Sequence, residues 1–214
     1  MKLRSFPLLA IIALVSGCSS HEPRQAVTGT AEVARPDLYQ CEGCEGALEA
    51  DPAKLTANAK IAPADEPGER MLIKGIVYGS DGQTPAANVI IYAYQTNAQG
   101  YYANGTPQTE ASRRHGRLRG WAKTGLDGRY SFETIKPAPY PKNHMPAHLH
   151  FTVLEAGKPP YWIDDIVFDG EFGVTEAYRR SMTNKGGNGI VQLTRGGDGA
   201  WVATRNIILE RHPK

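Results

Sequence analysis

The stretch Ala147-His148-Leu149-His150-Phe151-Thr152-Val153-Leu154 has the pattern of a buried β-strand and contains two histidines. His148 and His150 stand two positions apart inside this apolar run. A β-strand sends residues i and i+2 to the same face, so both imidazoles should point in one direction. The pair is therefore a candidate set of metal ligands.

The segments upstream of the histidines predict more strands and a further ligand. Gly120–Thr124 and Arg129–Ile135 alternate in polarity around Asp127-Gly128, which is turn chemistry typical of a β-hairpin. Tyr140 follows, held between Pro139 and Pro141, and prolines fix the local backbone. A phenol placed rigidly eight residues before the histidine pair is a candidate third ligand.

Short runs of apolar and β-branched residues recur through the rest of the chain, punctuated by Gly and Pro. This spacing predicts a β-sandwich. The predicted strands are 71–78, 88–95, 119–124, 129–135, 147–154, 162–168, 189–194 and 201–209, and only Thr175 to Thr183 favours a short helix.

These residues carry a resemblance to a known family. The motifs are Arg119-Gly120, Asp127-Gly128, Tyr130-Ser131-Phe132, Pro139-Tyr140-Pro141 and Pro146-Ala147-His148-Leu149-His150-Phe151. Over roughly residues 70 to 170, the chain resembles the intradiol ring-cleavage dioxygenases, the non-haem iron(III) enzymes related to protocatechuate 3,4-dioxygenase and catechol 1,2-dioxygenase. The resemblance implies an all-β fold, a β-sandwich of the intradiol dioxygenase type, with an extended N-terminal arm and little helix.

The same resemblance implies a metal and its ligands. The family holds Fe(III) with two tyrosines and two histidines, and its second tyrosine and histidine pair match Tyr140, His148 and His150. Its first tyrosine lies in an Asn-Ala-x-Gly-x-Tyr context, which here is Asn97-Ala98-Gln99-Gly100-Tyr101-Tyr102, so Tyr102 takes that position. Phenolate is a hard anionic donor that suits the ferric state.

The resemblance also implies a reaction. A small aromatic diol of the catechol type and O2 would be the substrates, and a muconate-type dicarboxylate would be the product. Tyr140 would serve first as a ligand and then as a base that leaves the metal. Arg119 is the second catalytic candidate, because the family has an arginine-glycine pair there.

Three positions depart from the family pattern. Met145 stands where the well-studied enzymes have an arginine that stabilises charge on the substrate, and a thioether supplies neither a hydrogen bond nor a positive charge. Asp165 falls at the position of a pocket glutamine, and Gly125 replaces a frequent aspartate. The electrostatic stabilisation of charge on the substrate is therefore absent or comes from another residue, and Arg119 is one candidate.

Two other hypotheses stay open at this point. A non-catalytic β-sandwich of the transthyretin-like or carboxypeptidase regulatory type shares the Asp-Gly-x-Tyr-x-Phe motif but gives no reason for His148, His150 and Tyr102 at these spacings. A relative that binds metal without turnover would keep the ligands and lack the arginine.

The N-terminus predicts export. Residues 1–17 have the basic start, short apolar run and small residues of a signal peptide, and Cys18 after Ser16-Gly17 resembles a bacterial lipobox. We therefore expect a lipid anchor on Cys18 in the bacterial cell envelope, and Ser19 after the cysteine resembles the pattern of lipoproteins sorted to the outer membrane. A flexible tether is expected over 18–40, and an ordinary signal peptide is the alternative.

The remaining domain organisation is an N-terminal arm over 41–70 and a β-sandwich catalytic domain over 71–214. In an exported protein, Cys41 and Cys44 most simply form a disulfide. A Cys-x-x-Cys can also be a redox pair or half of a zinc site, but no second cysteine pair completes a zinc site.

Composition indicates a globular protein. Hydrophobic residues make up 41% of the 214 residues and the formal net charge is +2, a balance that predicts no strong field toward nucleic acid or a membrane surface. Arg113, Arg114, His115 and Arg117 form a basic loop that could attract an anionic aromatic acid, although a solvated surface loop explains the same charges better. The sequence leaves the oligomeric state open.

Overall fold

Two sheets face each other in the computed structural model, which describes residues 33–105, 109, 113–143 and 145–214. The strands in this part of the chain are β1 (Asn58–Lys60), β2 (Arg70–Tyr78), β3 (Ile90–Gln95), β4 (Arg119–Lys123), β5 (Arg129–Ile135), β6 (His148–Leu154), β7 (Tyr161–Phe168), β8 (Ile190–Val191), β9 (Leu193–Arg195), β10 (Trp201–Thr204) and β11 (Ile207–Ile208). The first sheet has the order β1-β5-β2-β10-β9, with β11 also paired to β2, and the second has the order β4-β3-β6-β7-β8.

The predicted β-sandwich is therefore present, with small differences at its ends. The two C-terminal segments predicted as single strands are each divided in two, at Gln192 and at Arg205-Asn206. The predicted helix is α1 (Glu176–Ser181), and the Thr175 side chain caps it by accepting a hydrogen bond from the Tyr178 backbone N–H. No helix among the described residues is both long and apolar enough to cross a bilayer.

Aromatic side chains join the two sheets across the core. Phe132 of β5 and Phe151 of β6 pack edge to face with ring centres 5.7 Å apart, and Tyr130 packs against both at 5.9 and 6.2 Å. Such contacts add to the free energy gained from burying the rings. Because Phe151 is anchored in the core, the alternation of β6 directs His148 and His150 to the outer face of the second sheet.

The Asp127-Gly128 segment forms a turn but not the predicted hairpin. β4 pairs with β3 in the second sheet, whereas β5 pairs with β1 and β2 in the first. The hairpin prediction was wrong because turn chemistry fixes a change of direction and not the partner of the strand that follows. The turn carries the chain from one sheet to the other, which is how a sandwich is closed.

The N-terminal arm lies on the sandwich and also joins it. Ile61 of the arm belongs to the core, and β1 adds a parallel strand beside β5. Leu38 also belongs to the core, so the end of the segment 18–40, which was expected to be a flexible tether, is packed on the sandwich instead. A 3₁₀ turn at Cys44–Leu48 crosses the outer face of the second sheet, where the Trp121 indole N–H donates to the Gly46 and Ala47 carbonyls. Cys41 and Cys44 form the predicted disulfide at the start of this turn.

Candidate metal centre

Strand β6 carries two histidines whose rings are oriented by contacts of their Nδ1 atoms. The His148 Nδ1 atom lies 2.7 Å from the Pro146 carbonyl, and the His150 Nδ1 atom lies 3.0 Å from Asp165 Oδ1. Histidines that bind metals commonly hydrogen bond through the second ring nitrogen to a carbonyl or carboxylate. Both imidazoles therefore carry hydrogen on Nδ1 and turn Nε2 toward a common point.

A β-bulge brings Asp165 to His150. Leu149 pairs with Ile166 and Phe151 with Ile163, so that Asp164 and Asp165 together face the single residue His150. Bulges re-aim side chains and are frequent beside active sites. The irregularity in β7 thus places a carboxylate behind the candidate ligand.

Two tyrosine-bearing loops meet the histidines. Tyr102 follows β3 and Tyr140 follows β5, and the loops are joined where the Ala138 N–H donates to the Asn97 carbonyl at 3.1 Å. Gly100 adopts φ +82° and packs so closely that a Cβ there would lie 2.1 Å from the Pro139 carbonyl oxygen. Only glycine fits this crossing.

The four candidate ligand atoms form a closed ring. Tyr102 Oη lies 2.7 Å from Tyr140 Oη and 2.8 Å from His150 Nε2, and His148 Nε2 lies 3.2 Å from Tyr140 Oη and 3.1 Å from His150 Nε2. Ligands at right angles and about 2.0–2.1 Å from a small metal ion lie about 2.9 Å apart. The structure therefore brings together all four predicted ligands at separations that suit one ion.

The chemistry of this donor set also favours a cation. With hydrogen on both Nδ1 atoms, the Nε2 lone pairs of His148 and His150 face each other at 3.1 Å, an arrangement that is repulsive without a shared positive charge. Burial raises the pKa of the Tyr102 and Tyr140 hydroxyls and lowers the pKa of His148. A metal ion would oppose the effect on the tyrosines, since it favours phenolate, and it would act with the effect on His148, since it binds neutral imidazole.

A different set of ligands exists in the same place. His148, His150 and Asp165 each offer one ligand atom within 4.8 Å of one another, which has the composition of a two-histidine, one-carboxylate site. However, Asp165 contacts Nδ1 of His150, whereas the ring of Tyr102, Tyr140 and the two histidines is built on Nε2. The carboxylate is better placed to orient His150 than to join the tyrosines.

Tyr94 and His115 support His150, although Tyr94 was not predicted as part of the site and His115 was expected in a solvated loop. The Tyr94 ring stacks on His150 with centres 4.5 Å apart and on His115 with centres 3.9 Å apart. His115 is 3% exposed and its Nδ1 lies 2.8 Å from Tyr92 Oη. The outward alternation of Tyr92 and Tyr94 on β3 was the available signal, since β3 pairs directly with β6.

Arg119 lies apart from the four ligands. Its guanidinium forms an ion pair with Glu49 and lies over the Trp121 ring, 5.2 Å from the ring centre. In the sheet, Arg119 pairs with Tyr94, and Tyr94 pairs with His150, so a strand separates the arginine from the histidine. These contacts hold the N-terminal arm, and the catalytic role of Arg119 stays a prediction.

The remaining positions considered in the sequence analysis are the basic loop, Met145 and His144. Arg114 pairs with Glu42 and Arg117 pairs with Glu66, which agrees with a surface loop more than with a free cationic patch. Met145 is 37% exposed. His144 lies outside the described residues.

A cavity of about 390 Å³ opens beside His150. Asp164, Asp165 and Trp162 of β7 form one wall, residues 41–43 of the arm form another, and residues around Tyr178 of α1 complete it. A volume of this size suits a small aromatic molecule.

Comparison with known proteins decides the family. A family model described as Dioxygenase matches residues 46–185, well over half of the chain. The chain belongs to the intradiol dioxygenase family. This confirms the resemblance and selects it over the transthyretin-like and carboxypeptidase regulatory-like sandwiches.

Individual members of the intradiol dioxygenase family show how far the similarity extends. Catechol 1,2-dioxygenase 2 of Acinetobacter lwoffii is 27% identical, over 60% of this chain and 54% of that protein. The protocatechuate 3,4-dioxygenase beta chain of Burkholderia cepacia is 36% identical, over 47% of this chain and 44% of that protein. The chain thus spans about half the length of these curated relatives.

Solved structures of other dioxygenases share the fold. The dioxygenase domain of a dioxygenase carbohydrate-binding protein fusion from Streptomyces sp. SirexAA-E superposes with a TM-score of 0.53 at 20% identity, covering 71% of this chain and 86% of that one. The 3-chlorocatechol 1,2-dioxygenase of Rhodococcus opacus 1CP gives 0.52 at 23% identity, covering 71% and 64%. The predicted all-β fold of the intradiol dioxygenase type is confirmed.

Proposed function

We propose that this protein is an Fe(III)-dependent intradiol ring-cleavage dioxygenase that acts on a catechol-type diol. The observation that carries the proposal is the closed ring formed by Tyr102, Tyr140, His148 and His150, whose neighbouring donor atoms lie 2.7–3.2 Å apart. Membership of the intradiol dioxygenase family supports it. Two phenolates and two neutral imidazoles match the preference of ferric iron for hard, anionic donors.

The protein residues would divide the work. Tyr102, Tyr140, His148 and His150 would hold the ferric ion, which would supply the Lewis acidity that lowers the pKa of the two hydroxyls of a bound diol. Tyr140 Oη lies at a corner of the ring of donors, and it would accept a substrate proton as the diol takes its place. Asp165 keeps His150 in the tautomer that binds through Nε2.

The overall reaction consumes one diol and one O2. Both oxygen atoms enter the product, the bond between the two hydroxylated carbons breaks, and a muconate-type dicarboxylate results. The Met145 position supplies no positive charge to this process, and we expect slower turnover than in relatives with arginine there, since one preorganised charge contributes about 10²–10³ in rate in other enzymes.

Colour is the first test of the proposal. Tyrosinate bound to ferric iron absorbs visible light, so protein loaded with Fe(III) should be red-brown, and Tyr140→Phe should shift or bleach the band. Tyr101→Phe is the matched control, because Tyr101 is the neighbouring, 56% exposed tyrosine that takes no part in the ring of donors. A colourless protein that takes up no iron would refute the metal centre.

Product analysis distinguishes an active enzyme from a relative that binds metal without turnover. Iron-loaded protein incubated with catechol under O2 should give a muconate and incorporate label from ¹⁸O2 into both new carboxyl groups. Iron binding with the expected colour and no product would leave the metal site standing and refute the activity.

We also propose that the protein is exported and anchored by a lipid on Cys18, which lies outside the described residues. The Cys41–Cys44 disulfide supports export, because disulfides persist outside the reducing cytoplasm. Mass spectrometry of the mature N-terminus tests the proposal. Acylated Cys18 is the expected result, and an N-terminus without lipid would refute the anchor.

A further inference from the structure

The Cys41-Glu42-Gly43-Cys44 motif lies in a segment that crosses the outer face of the second sheet. We call this segment, residues 40–47, the strap. The indole N–H groups of Trp162 and Trp121 donate hydrogen bonds to backbone carbonyls at its two ends. The disulfide lies between these two attachments, so the strap remains attached to the sheet when the bond between the sulfur atoms is open.

The two cysteines of the strap differ in accessibility. Cys41 is half-buried and lines the cavity beside His150, whereas Cys44 is 4% exposed. An incoming thiolate attacks the sulfur that it can reach, and the other sulfur leaves. The Thr152 hydroxyl lies 3.8 Å from Cys44 Sγ, where it can donate a hydrogen bond to a leaving thiolate. The pair therefore has an accessible sulfur for attack and a buried sulfur beside a hydrogen-bond donor.

The disulfide adds little to the attachment of the strap. It joins residues three positions apart, and the stabilisation that a disulfide provides rises with the length of the loop that it closes. Directly after the strap, Glu49 forms an ion pair with Arg119, which is a further attachment to the second sheet. Reduction should therefore leave the sandwich folded, as a disulfide that opens and closes in the native protein requires.

The backbone of the strap packs directly on His115. A Cβ at Gly43 would lie 2.9 Å from His115 Nε2, and a Cβ at Gly46 would lie 3.0 Å from His115 Nδ1. The His115 ring stacks on Tyr94, and the Tyr94 ring stacks on His150. The peptide backbone at the disulfide is therefore the outer support of a column of three rings, which ends at a proposed iron ligand.

We propose that Cys41–Cys44 is a thiol–disulfide exchange site that controls how firmly the strap holds this column of rings. The disulfide fixes Gly43 against His115, and reduction removes the cross-link and lets the strap move away from the ring. The effect on His150 rests on the proposed function, because His150 is a proposed iron ligand, whereas the exchange chemistry is independent of it. The reaction partner is a dithiol reductant.

The exchange takes two steps and balances in electrons and protons. One thiolate of the reductant attacks Cys41 Sγ, the bond to Cys44 breaks, and Cys44 leaves as a thiolate that takes up one proton. The second thiolate of the reductant then attacks its own sulfur in the mixed disulfide and releases Cys41, which takes up the second proton. The protein gains two electrons and two protons, and the dithiol loses the same number as it becomes a disulfide.

Thiol labelling tests the order of attack. Cys18, the third cysteine of the chain, is replaced by serine in these proteins, and no metal is added. Cys41 in the variant Cys44→Ser should react with Ellman's reagent about tenfold or more faster than Cys44 in the variant Cys41→Ser, because access controls the rate. Equal rates, or a faster reaction of Cys44, would overturn the inference.

Equilibration with reduced and oxidised dithiothreitol tests whether the pair opens and closes in the folded, metal-free protein. Alkylation followed by mass spectrometry measures the dithiol fraction, and hydrogen exchange measures the mobility of the strap. We expect complete and reversible reduction without denaturant, and amide exchange in the strap about tenfold faster in the dithiol form, with β2 as the unchanged reference. Reduction only after unfolding, or unchanged exchange in the strap, would contradict the proposal.

The double variant Cys41→Ser/Cys44→Ser represents the open strap when iron is present, because a reductant would also reduce Fe(III). It should bind Fe(III) about tenfold more weakly than the disulfide form, as loss of the support around a metal-binding histidine does, and its visible band should shift. Gly157→Ala is the control for a loss of stability alone, because its φ is +73° and nothing lies within 4 Å of the added Cβ. It should keep the wild-type affinity and band.

The variant His115→Gln separates support through the His115 ring from a general loosening of the fold. When this substitution is already present, opening the disulfide should change the affinity for Fe(III) by no more than about twofold, because the ring that transmits the effect is gone. A loss as large as that in the wild-type background, or the same loss in Gly157→Ala, would show that the column of rings does not couple the strap to His150.

Failure of this inference is distinguishable from failure of the proposed function. If the protein binds iron and cleaves catechol but the double variant has the wild-type affinity and band, the inference is wrong and the activity stands. If the protein binds no iron, the proposed function fails. Thiol labelling and hydrogen exchange of the metal-free protein then still decide whether Cys41–Cys44 is an exchange site that controls the strap.

Discussion

Substituting Gly100 by alanine should disturb the proposed metal centre without changing any of its four proposed ligands. The new Cβ would lie 2.1 Å from the Pro139 carbonyl oxygen, about 1 Å short of a tolerable contact. Because Pro139 precedes Tyr140, the Tyr140 loop must move by a similar distance. The Tyr140 hydroxyl lies 2.7 Å from Tyr102 and 3.2 Å from His148, so a shift of that size breaks the ring of donors.

The cost has two parts that a control can separate. The positive φ of Gly100, +82°, makes alanine unfavourable by about 1–2 kcal/mol, and the clash adds about 1–3 kcal/mol. Gly157→Ala carries the first part alone, because Gly157 has φ +73° and nothing within 4 Å of the added Cβ. Gly100→Ala should therefore be less stable than Gly157→Ala by the cost of the clash.

Two measurements check this prediction. Urea denaturation of the metal-free proteins gives the free energies of unfolding, and titration with Fe(III) gives affinity and colour. We expect Gly100→Ala to lose about 100-fold in turnover, in line with a 1 Å misplacement in an active site, and to bind iron more weakly than Gly157→Ala. If both variants bind iron with equal affinity and show the same band, the packing of Gly100 does not position Tyr140.

Three further predictions follow from the surroundings of the centre. Asp165→Ala should lower the affinity for Fe(III) by about 10- to 100-fold because it removes the hydrogen-bond partner of His150 Nδ1. Asp165→Asn keeps an acceptor and should lose less affinity. A competition assay with a chelator measures both, and an affinity of Asp165→Ala equal to that of the wild type would contradict the prediction. Burial lowers the pKa of His115 to about 4, whereas the imidazole in the unfolded chain titrates near its usual pKa of about 6.5. Because the unfolded chain binds more protons between these values, the free energy of unfolding should fall as the pH drops from about 6.5 to 4. Denaturation at a series of pH values checks this, and an equally steep dependence on pH in His115→Gln would refute the attribution to His115. Reducing the Cys41–Cys44 disulfide should cost about 2 kcal/mol from the entropy of its short loop, measured by denaturation with and without reductant, and no change in the midpoint would contradict it.

Local patterns in the sequence were enough to predict the strands and the set of donors. His148 and His150 share a face because a strand alternates, and Tyr102 and Tyr140 were identified through the family motifs that contain them. Each of these inferences uses residues close together in the chain. The structure places the four donors in one ring.

Relations between distant segments escaped prediction. The partner of β4 is β3 and not β5, because the choice of partner depends on the closure of the whole sandwich. The contact of Asp165 with His150 depends on a bulge, and bulges have no distinct sequence signal. The stacking of His115 on Tyr94 brings a loop residue over a strand, which neither segment specifies alone.

The arm on the outer face of the second sheet bears on how this protein can be divided for experiments. A fragment cut at the limits of the family match, residues 46–185, would lose Leu38 from the interior and β10 from its place beside β2. It would also lose the segment that walls the cavity, and with it Tyr39, whose hydroxyl lies 2.6 Å from His212 Nδ1 near the other end of the chain. Recombinant proteins intended for ligand binding should therefore retain the residues on both sides of 46–185, because the limits of the family match cut through the core and the cavity wall.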